Sequence, residues 1–176
     1  MTDLRKSELL DRPGRFSTYI NECPDQGLMA LLELPLEQEL DWQFFARIAD
    51  RAYAPGKWTV SGVLQHMIDT ERILAYRALR IARGDTTPLP GFDEDAFGAQ
   101  ASEKISDFAV ALAEFRLLRQ STTALFRSFA PAWLHRRGFC SGTEISVGSL
   151  GYVILGHQRH HCSVLTTRYR ILAENP

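Results

Sequence analysis

Cysteine is scarce in this chain. Cys23, Cys140 and Cys162 make an odd set of three, and none falls in a Cys-x-x-Cys pair. That argues against a disulfide framework and for a reducing compartment. Net charge is almost absent too: 20 Lys and Arg against 21 Asp and Glu leave −1 at pH 7. The composition therefore carries no electrostatic footprint for nucleic acid or an anionic membrane. No apolar run approaches the ~18 residues that span a bilayer, and the opening MTDLRKSELL lacks the apolar centre of a secretory signal. The expectation is a cytoplasmic protein with no membrane and no nucleic-acid partner. Strand signals are few, and no internal repeat, linker or low-complexity tract is visible. With 176 residues, 45% hydrophobic and 23% charged, the chain reads as one globular domain over 1–176, able to bury about 70% of its unfolded surface.

Histidine is also sparse, at five residues, but it is concentrated. Residues 156–161 read Gly-His-Gln-Arg-His-His. His157 and His161 are four apart, which on a helix stacks both rings on one face about 6 Å apart at Cβ. Leu150, Ile154, His157, His161 and Leu165 form one stripe, so the imidazoles fall where a core face should be. Burying them is costly unless their nitrogens are satisfied, and a shared metal ion would do so. The alternative is a hydrogen-bonded pair of core histidines. Metals of this kind need three or four ligands, and His66 is the candidate third. It shares an inward helix face with Val63, Thr70 and Ile73. Two facing helices of a bundle, one giving His66 and the other the pair, can build a three-nitrogen site.

Taken in order, residues 1–24 read as an irregular lead-in with at most a short helix. From Asp25 to Asp50 the spacing of Leu28, Leu31, Leu32, Leu36, Leu40, Phe44 and Ile48 predicts helix, kinked or restarted at Pro35. Thr59 caps a helix over about 60–83 that stops at Gly84. Arg72, Arg77, Arg80 and Arg83 are placed on its outer surface, as a solvated face or as a basic patch for an acidic substrate. Residues 85–102 form a turn-rich connection with a short helix at 93–99. Its acidic trio Asp93, Glu94 and Asp95 serves as helix-start charge or as a general base or weak ligand. Phe108, Leu112, Phe115, Leu118, Thr122, Leu125 and Phe129 mark a third helix that stops before Pro131. Residues 131–145 read as a loop or short hairpin, with His135 at the surface. Ser146 caps a fourth helix running to about Leu172. The fold class is all-α, a four-helix bundle whose core spans about 25–172.

Several of these stretches resemble one known family, the DinB-like proteins. They are Tyr53-Ala-Pro-Gly-Lys-Trp-Thr-Val60, His66-Met-Ile-Asp-Thr-Glu-Arg72, Tyr76-Arg-Ala-Leu-Arg-Ile-Ala-Arg-Gly-Asp85, Pro88-Leu-Pro-Gly-Phe-Asp-Glu-Asp95 and Gly156-His-Gln-Arg-His-His161. The resemblance spans most of residues 15–172, and the spaced histidines are its specific part. It implies a four-helix bundle, a metal triad of His66, His157 and His161, thiol cofactors or substrates in several members, and a homodimer. Gly62 departs from the pattern, since such proteins often carry a capping Glu there.

Three neutral imidazoles leave a divalent ion its full charge and an open position, which favours catalysis over a closed structural site. Imidazole suits zinc, nickel, copper and iron alike; zinc or nickel is the expectation. Asp69 and Glu71 are candidates to orient a ligand ring, and His160 to carry a proton or simply to pack. Cys162 reads as a small buried residue rather than a nucleophile. The expected function is a metal-dependent transferase using a low-molecular-weight thiol, or a metal-dependent hydrolase, acting on a small-molecule substrate. The alternative is a non-catalytic bundle that binds a metal or ligand.

Overall fold

In the computed structural model, which describes residues 3–11, 13–102 and 107–174, eight helices and one hairpin follow one another. They are α1 (Gly14–Asn21), α2 (Leu28–Leu32), α3 (Trp42–Ala46), α4 (Val60–Ala82), α5 (Glu94–Ser102), α6 (Phe108–Arg127), β1 (Arg137–Cys140), β2 (Thr143–Ser146), α7 (Val147–Val164) and α8 (Ile171–Glu174). Short 3-10 turns lie at Lys6–Glu8, Leu36–Gln38 and Pro131–His135, and a π-turn at Leu165–Tyr169 joins α7 to the last helix.

The two site-bearing helices begin where side chains can cap them. Thr59 Oγ1 accepts from Gly62 N at 3.0 Å, so α4 is capped without the Glu that Gly62 replaces. Ser146 Oγ accepts from Ser149 N at 3.1 Å to open α7. Gly84 closes α4 with φ +87°, the left-handed cap that a residue with a Cβ resists. These two helices run antiparallel along each other. At one end Tyr169 donates to Trp58 O at 2.8 Å; at the other Arg136 donates to Ala82 O.

The region 25–50 departs from its helical spacing. It breaks into α2, a 3-10 turn and α3. Pro35, which lacks an N–H, stands just before the 3-10 turn, and Asp41 restarts the chain by accepting from Phe44 N at 3.0 Å. Leu36, Leu40 and Ile48 are still buried, but Trp42 and Phe45 enter the core in place of Phe44, which is only half-buried, so the short turns turn different side chains inward. The lead-in, by contrast, does hold a helix. Phe16 and Ile20 of α1 enter the core against α7.

The bundle is formed by α1, α4, α6 and α7. Its core divides into two apolar clusters. One gathers α1, α2, the C-terminal half of α4, the hairpin and the start of α7. The other gathers residues 36–48, the N-terminal half of α4, the start of α6 and the end of α7. The hairpin turns through Ser141 (φ 53°) and Gly142 (φ 76°), the paired positive angles of a two-residue turn that follows strand twist. It also anchors the 85–93 connection: Leu89 N donates to Phe139 O at 2.8 Å and Ser141 N to Leu89 O at 2.9 Å. Among the described residues no helix is long and apolar enough to cross a membrane.

Candidate metal centre

Between the two apolar clusters α4 and α7 turn histidines toward each other. His66 Nε2 lies 2.9 Å from His157 Nε2, and His161 Nε2 lies 3.1 Å from the same atom. One ligand atom from each ring falls within 4.8 Å of the others. His66 is 6% exposed and His157 4%, while His161 is half-buried.

Hydrogen bonding alone does not satisfy this arrangement. A neutral ring nitrogen carries either one N–H or one lone pair. His157 Nε2 therefore serves one neighbour and leaves the other facing it without a bond. Protonation does not relieve the conflict, because burial opposes it. Burial pushes His66 down to about 4 and His161 to about 3. The more enclosed His157 is held well below the ordinary imidazole value by burial, then by the neighbouring His161, His66 and His160 rings. Three neutral imidazoles with converging nitrogens are a donor set suited to a divalent cation.

Aromatic rings wall the cluster. Trp58 lies over His66 with centroids 4.8 Å apart. Tyr19 meets His157 edge-on at 5.2 Å and His160 at 5.6 Å. His160 also packs edge-on against His161 at 5.1 Å but stands outside the converging set.

Two openings reach the histidines from different sides. A hollow of about 240 Å³ is lined by His161, Trp58, Tyr53, Tyr169 and Asp95. A cleft of about 320 Å³ reaches His157 past Tyr19, Thr70 and Arg77. The acidic trio is divided among roles. Asp93 caps α5 by accepting from Ala96 N at 3.0 Å, Glu94 lines the cleft, and Asp95 lines the hollow.

The carboxylates proposed to orient a ligand ring are engaged elsewhere. Asp69 accepts from Gln65 Nε2 at 2.9 Å and pairs loosely with Arg72 at 3.9 Å. Glu71 is buried in a two-point ion pair with Arg119, at 3.0 and 2.7 Å, and Arg119 also donates to Gln158 at 2.6 Å. Neither carboxylate has an imidazole among its contacts. The four arginines of α4 do not form one outer patch. Arg72 pairs with Glu114 at 2.6 Å, Arg80 with Asp85, and Arg83 covers the Trp133 ring at 5.1 Å. Arg77 turns inward and is buried. Burial pushes the Cys162 thiol up to about 12, so it is inert. His135 is exposed and stands outside the converging set.

Thr70 and Tyr19 carry no functional role from the sequence, and Arg77, expected on an outer basic face, lines the cleft instead. Arg77 had a signal: eleven residues is close to three helical turns, so it repeats the face of His66. Thr70, one turn from His66, was placed on that face without a role. Among the described residues its buried Oγ1 has no hydrogen-bond partner, a cost of about 1–3 kcal/mol. Tyr19 had no signal, because nothing local ties the first helix to α7.

The DinB superfamily matches this chain over residues 7–165. A curated relative, "Putative metal-dependent hydrolase YfiT" of Bacillus subtilis (strain 168), is 25% identical over 150 residues, covering 82% of this chain and 83% of that protein. The solved structure of YfiT is described as that of "a probable metal-dependent hydrolase with an unusual four-helix bundle topology". It shares the fold with a TM-score of 0.67, at 21% identity over 89% of this chain and 87% of that one.

Proposed function

The chain belongs to the DinB superfamily, and on that premise we propose that it is a metal-dependent hydrolase whose divalent ion is held by His66, His157 and His161. The observation that carries this reading is the convergence of three neutral Nε2 atoms that hydrogen bonds cannot satisfy together. The name of the relative points the same way. The ion, when bound, supplies Lewis acidity and activates a nucleophile at neutral pH.

The chain's own residues do the rest. Burial keeps the three rings unprotonated and available as ligands. Trp58 and Tyr19 hold the rings in place and exclude water from two sides. Asp95 lines the hollow with His161, which supports it as the carboxylate that takes a proton from the nucleophile. The small-molecule substrate enters from the cleft beside His157.

The test is metal-dependent turnover. Protein purified without a polyhistidine tag should carry about one equivalent of divalent metal. It should hydrolyse activated esters or amides, lose that activity to a chelator and regain it with zinc or nickel. Asp95→Asn should lower kcat while leaving metal content unchanged. A thiol transferase gives a different result: cobalt-substituted protein titrated with biological thiols develops a sulfur-to-metal charge-transfer band, and hydrolysis is absent. Metal-free protein with neither signal is a non-catalytic bundle.

A further inference from the structure

The cleft beside His157 has more chemistry than a water channel needs. Its floor is α4, and two polar residues of that helix face into it. Thr70 is 6% exposed, and its Oγ1 is buried without a hydrogen-bond partner. Arg77 is 4% exposed, which is rare for a guanidinium without a carboxylate. Among the described residues it has no carboxylate within ion-pair distance. One N–H donates to Pro90 O at 2.7 Å, and the charge lies 5.9 Å from the centre of the Phe92 ring. A guanidinium carries five N–H groups in a fixed fork. The Pro90 carbonyl and the Phe92 face hold Arg77 in one pose and leave part of that fork without an acceptor.

The pose is built by the fold. The 85–93 connection, stitched to the hairpin at Leu89, brings Pro90 and Phe92 over Arg77. Along α4 the order is His66, Thr70, Arg77, one face of the helix covering about 16 Å of rise. A buried cation and an orphan hydroxyl thus stand in line with the histidines, in a cleft of about 320 Å³ that His157 itself lines. That volume falls in the range of small-molecule sites, ~300–1,000 Å³.

Resting on the hydrolase reading for its outcome but not for its binding step, we propose that this cleft is the substrate's carboxylate-recognition subsite. Arg77 takes the carboxylate in a two-point contact, Thr70 Oγ1 hydrogen-bonds the chain between, and the bond to be cleaved lies at the His157 end. The substrate is an amide or ester bearing one carboxylate. A single negative charge suits the cleft better than a phosphate dianion, because Asp93 and Glu94 also line it and would repel a second charge. Arg15, exposed at the same cleft, adds one screened positive charge at the rim.

Calorimetric titration of chelator-treated protein tests the subsite apart from the metal. N-acetylglycine is the probe, and N-acetylglycinamide and inorganic phosphate are the comparisons. N-acetylglycine should bind at least about tenfold more tightly than the neutral amide, the difference made by charge-assisted hydrogen bonds. Arg77→Gln should abolish that preference and Arg77→Lys should retain part of it, since Lys keeps the charge and loses the fork. Thr70→Val, which gives up no bond in the free protein, should weaken the probe by a few-fold and keep the melting temperature. It serves if Arg77→Gln does not fold. As purified, before chelator treatment, Arg77→Gln and Thr70→Val should both carry the wild-type metal content, so loss of probe binding in variants that hold full metal separates this subsite from the triad. The proposal fails if wild-type protein does not bind N-acetylglycine, or if the folded variants bind it within about twofold of wild type. Tighter, Arg77-dependent binding of phosphate overturns the carboxylate assignment.

Discussion

Gly156 of α7 lies against the backbone carbonyl of Tyr19 on α1, so close that a Cβ at position 156 would overlap it. One residue before His157, the absence of a side chain lets α1 close over the helix that bears the paired histidines. The Tyr19 ring then reaches His157 and His160 edge-on. The obstacle is backbone rather than the end of a flexible side chain, so it has no rotamer by which to yield.

Gly156→Ala should therefore destabilise the protein by about 1–3 kcal/mol in urea titration, the usual cost of overpacking. It should also disturb the Tyr19 contact and weaken metal binding. Gly14→Ala is the control, because nothing lies within 4 Å of a Cβ there. That change should be neutral, or stabilising by about 0.4–1 kcal/mol. Equal effects at the two positions would refute the close approach.

Replacing His66, His157 or His161 with Ala should each reduce bound metal from about one equivalent to well below it, since two imidazoles hold a divalent ion poorly. His135→Ala should leave metal content and activity unchanged. Full metal content in His66→Ala would remove α4 from the site.

Metal-free protein should lose stability as pH falls from about 6.5 toward 3. Folded-state values are depressed, to about 4 at His66 and about 3 at His161, with His157 lower than its ordinary value too. Between those values and about 6.5 the unfolded chain binds protons that the folded chain refuses. Stability therefore rises with pH in this window, by up to about 1.4 kcal/mol per pH unit for each ring, and is flat with respect to these groups above it. Urea midpoints in chelator at pH 7.5, 6 and 5 check the trend. His66→Gln should make the slope shallower; an unchanged slope would contradict the burial of that ring.

Arg119→Ala should be more damaging than removal of the whole pair. It leaves Glu71 charged, buried and unpaired, at a cost of about 3–5 kcal/mol. The double change Glu71→Leu with Arg119→Met removes both charges and should recover much of that loss, though Gln158 then loses its donor. A double mutant no more stable than Arg119→Ala would mean that the pair is worth more than its desolvation.

Much of the fold and of the candidate site was legible because it is local. Caps at Thr59 and Ser146, the stop at Gly84, the apolar stripe of α6 and the four-residue spacing of His157 and His161 depend on residues within a turn or two of one another. His66 was legible for a related reason, as a lone imidazole on an otherwise apolar inward face. The region 25–50 was not, because short turns and one helix can bury the same leucines, and the choice rests on Pro35, Asp41 and what packs above them.

The amino-acid order alone marks the three long helices α4, α6 and α7, their apolar faces and the three histidines that face inward, since each follows from a helical period of 3.6 residues. Only the tertiary structure decided that the Nε2 atoms meet within hydrogen-bond distance and that Glu71 answers Arg119 rather than a ligand ring. It likewise decided that Arg77 turns into a cleft lined by Phe92 while donating to the Pro90 carbonyl, and that Tyr19 reaches His157 across Gly156. Apart from His157 with His161, these are pairings between residues 13 to 138 positions apart, and no periodicity encodes a partner at that range. They are set by how the helices pack, and packing is where the chemistry of this protein is assembled.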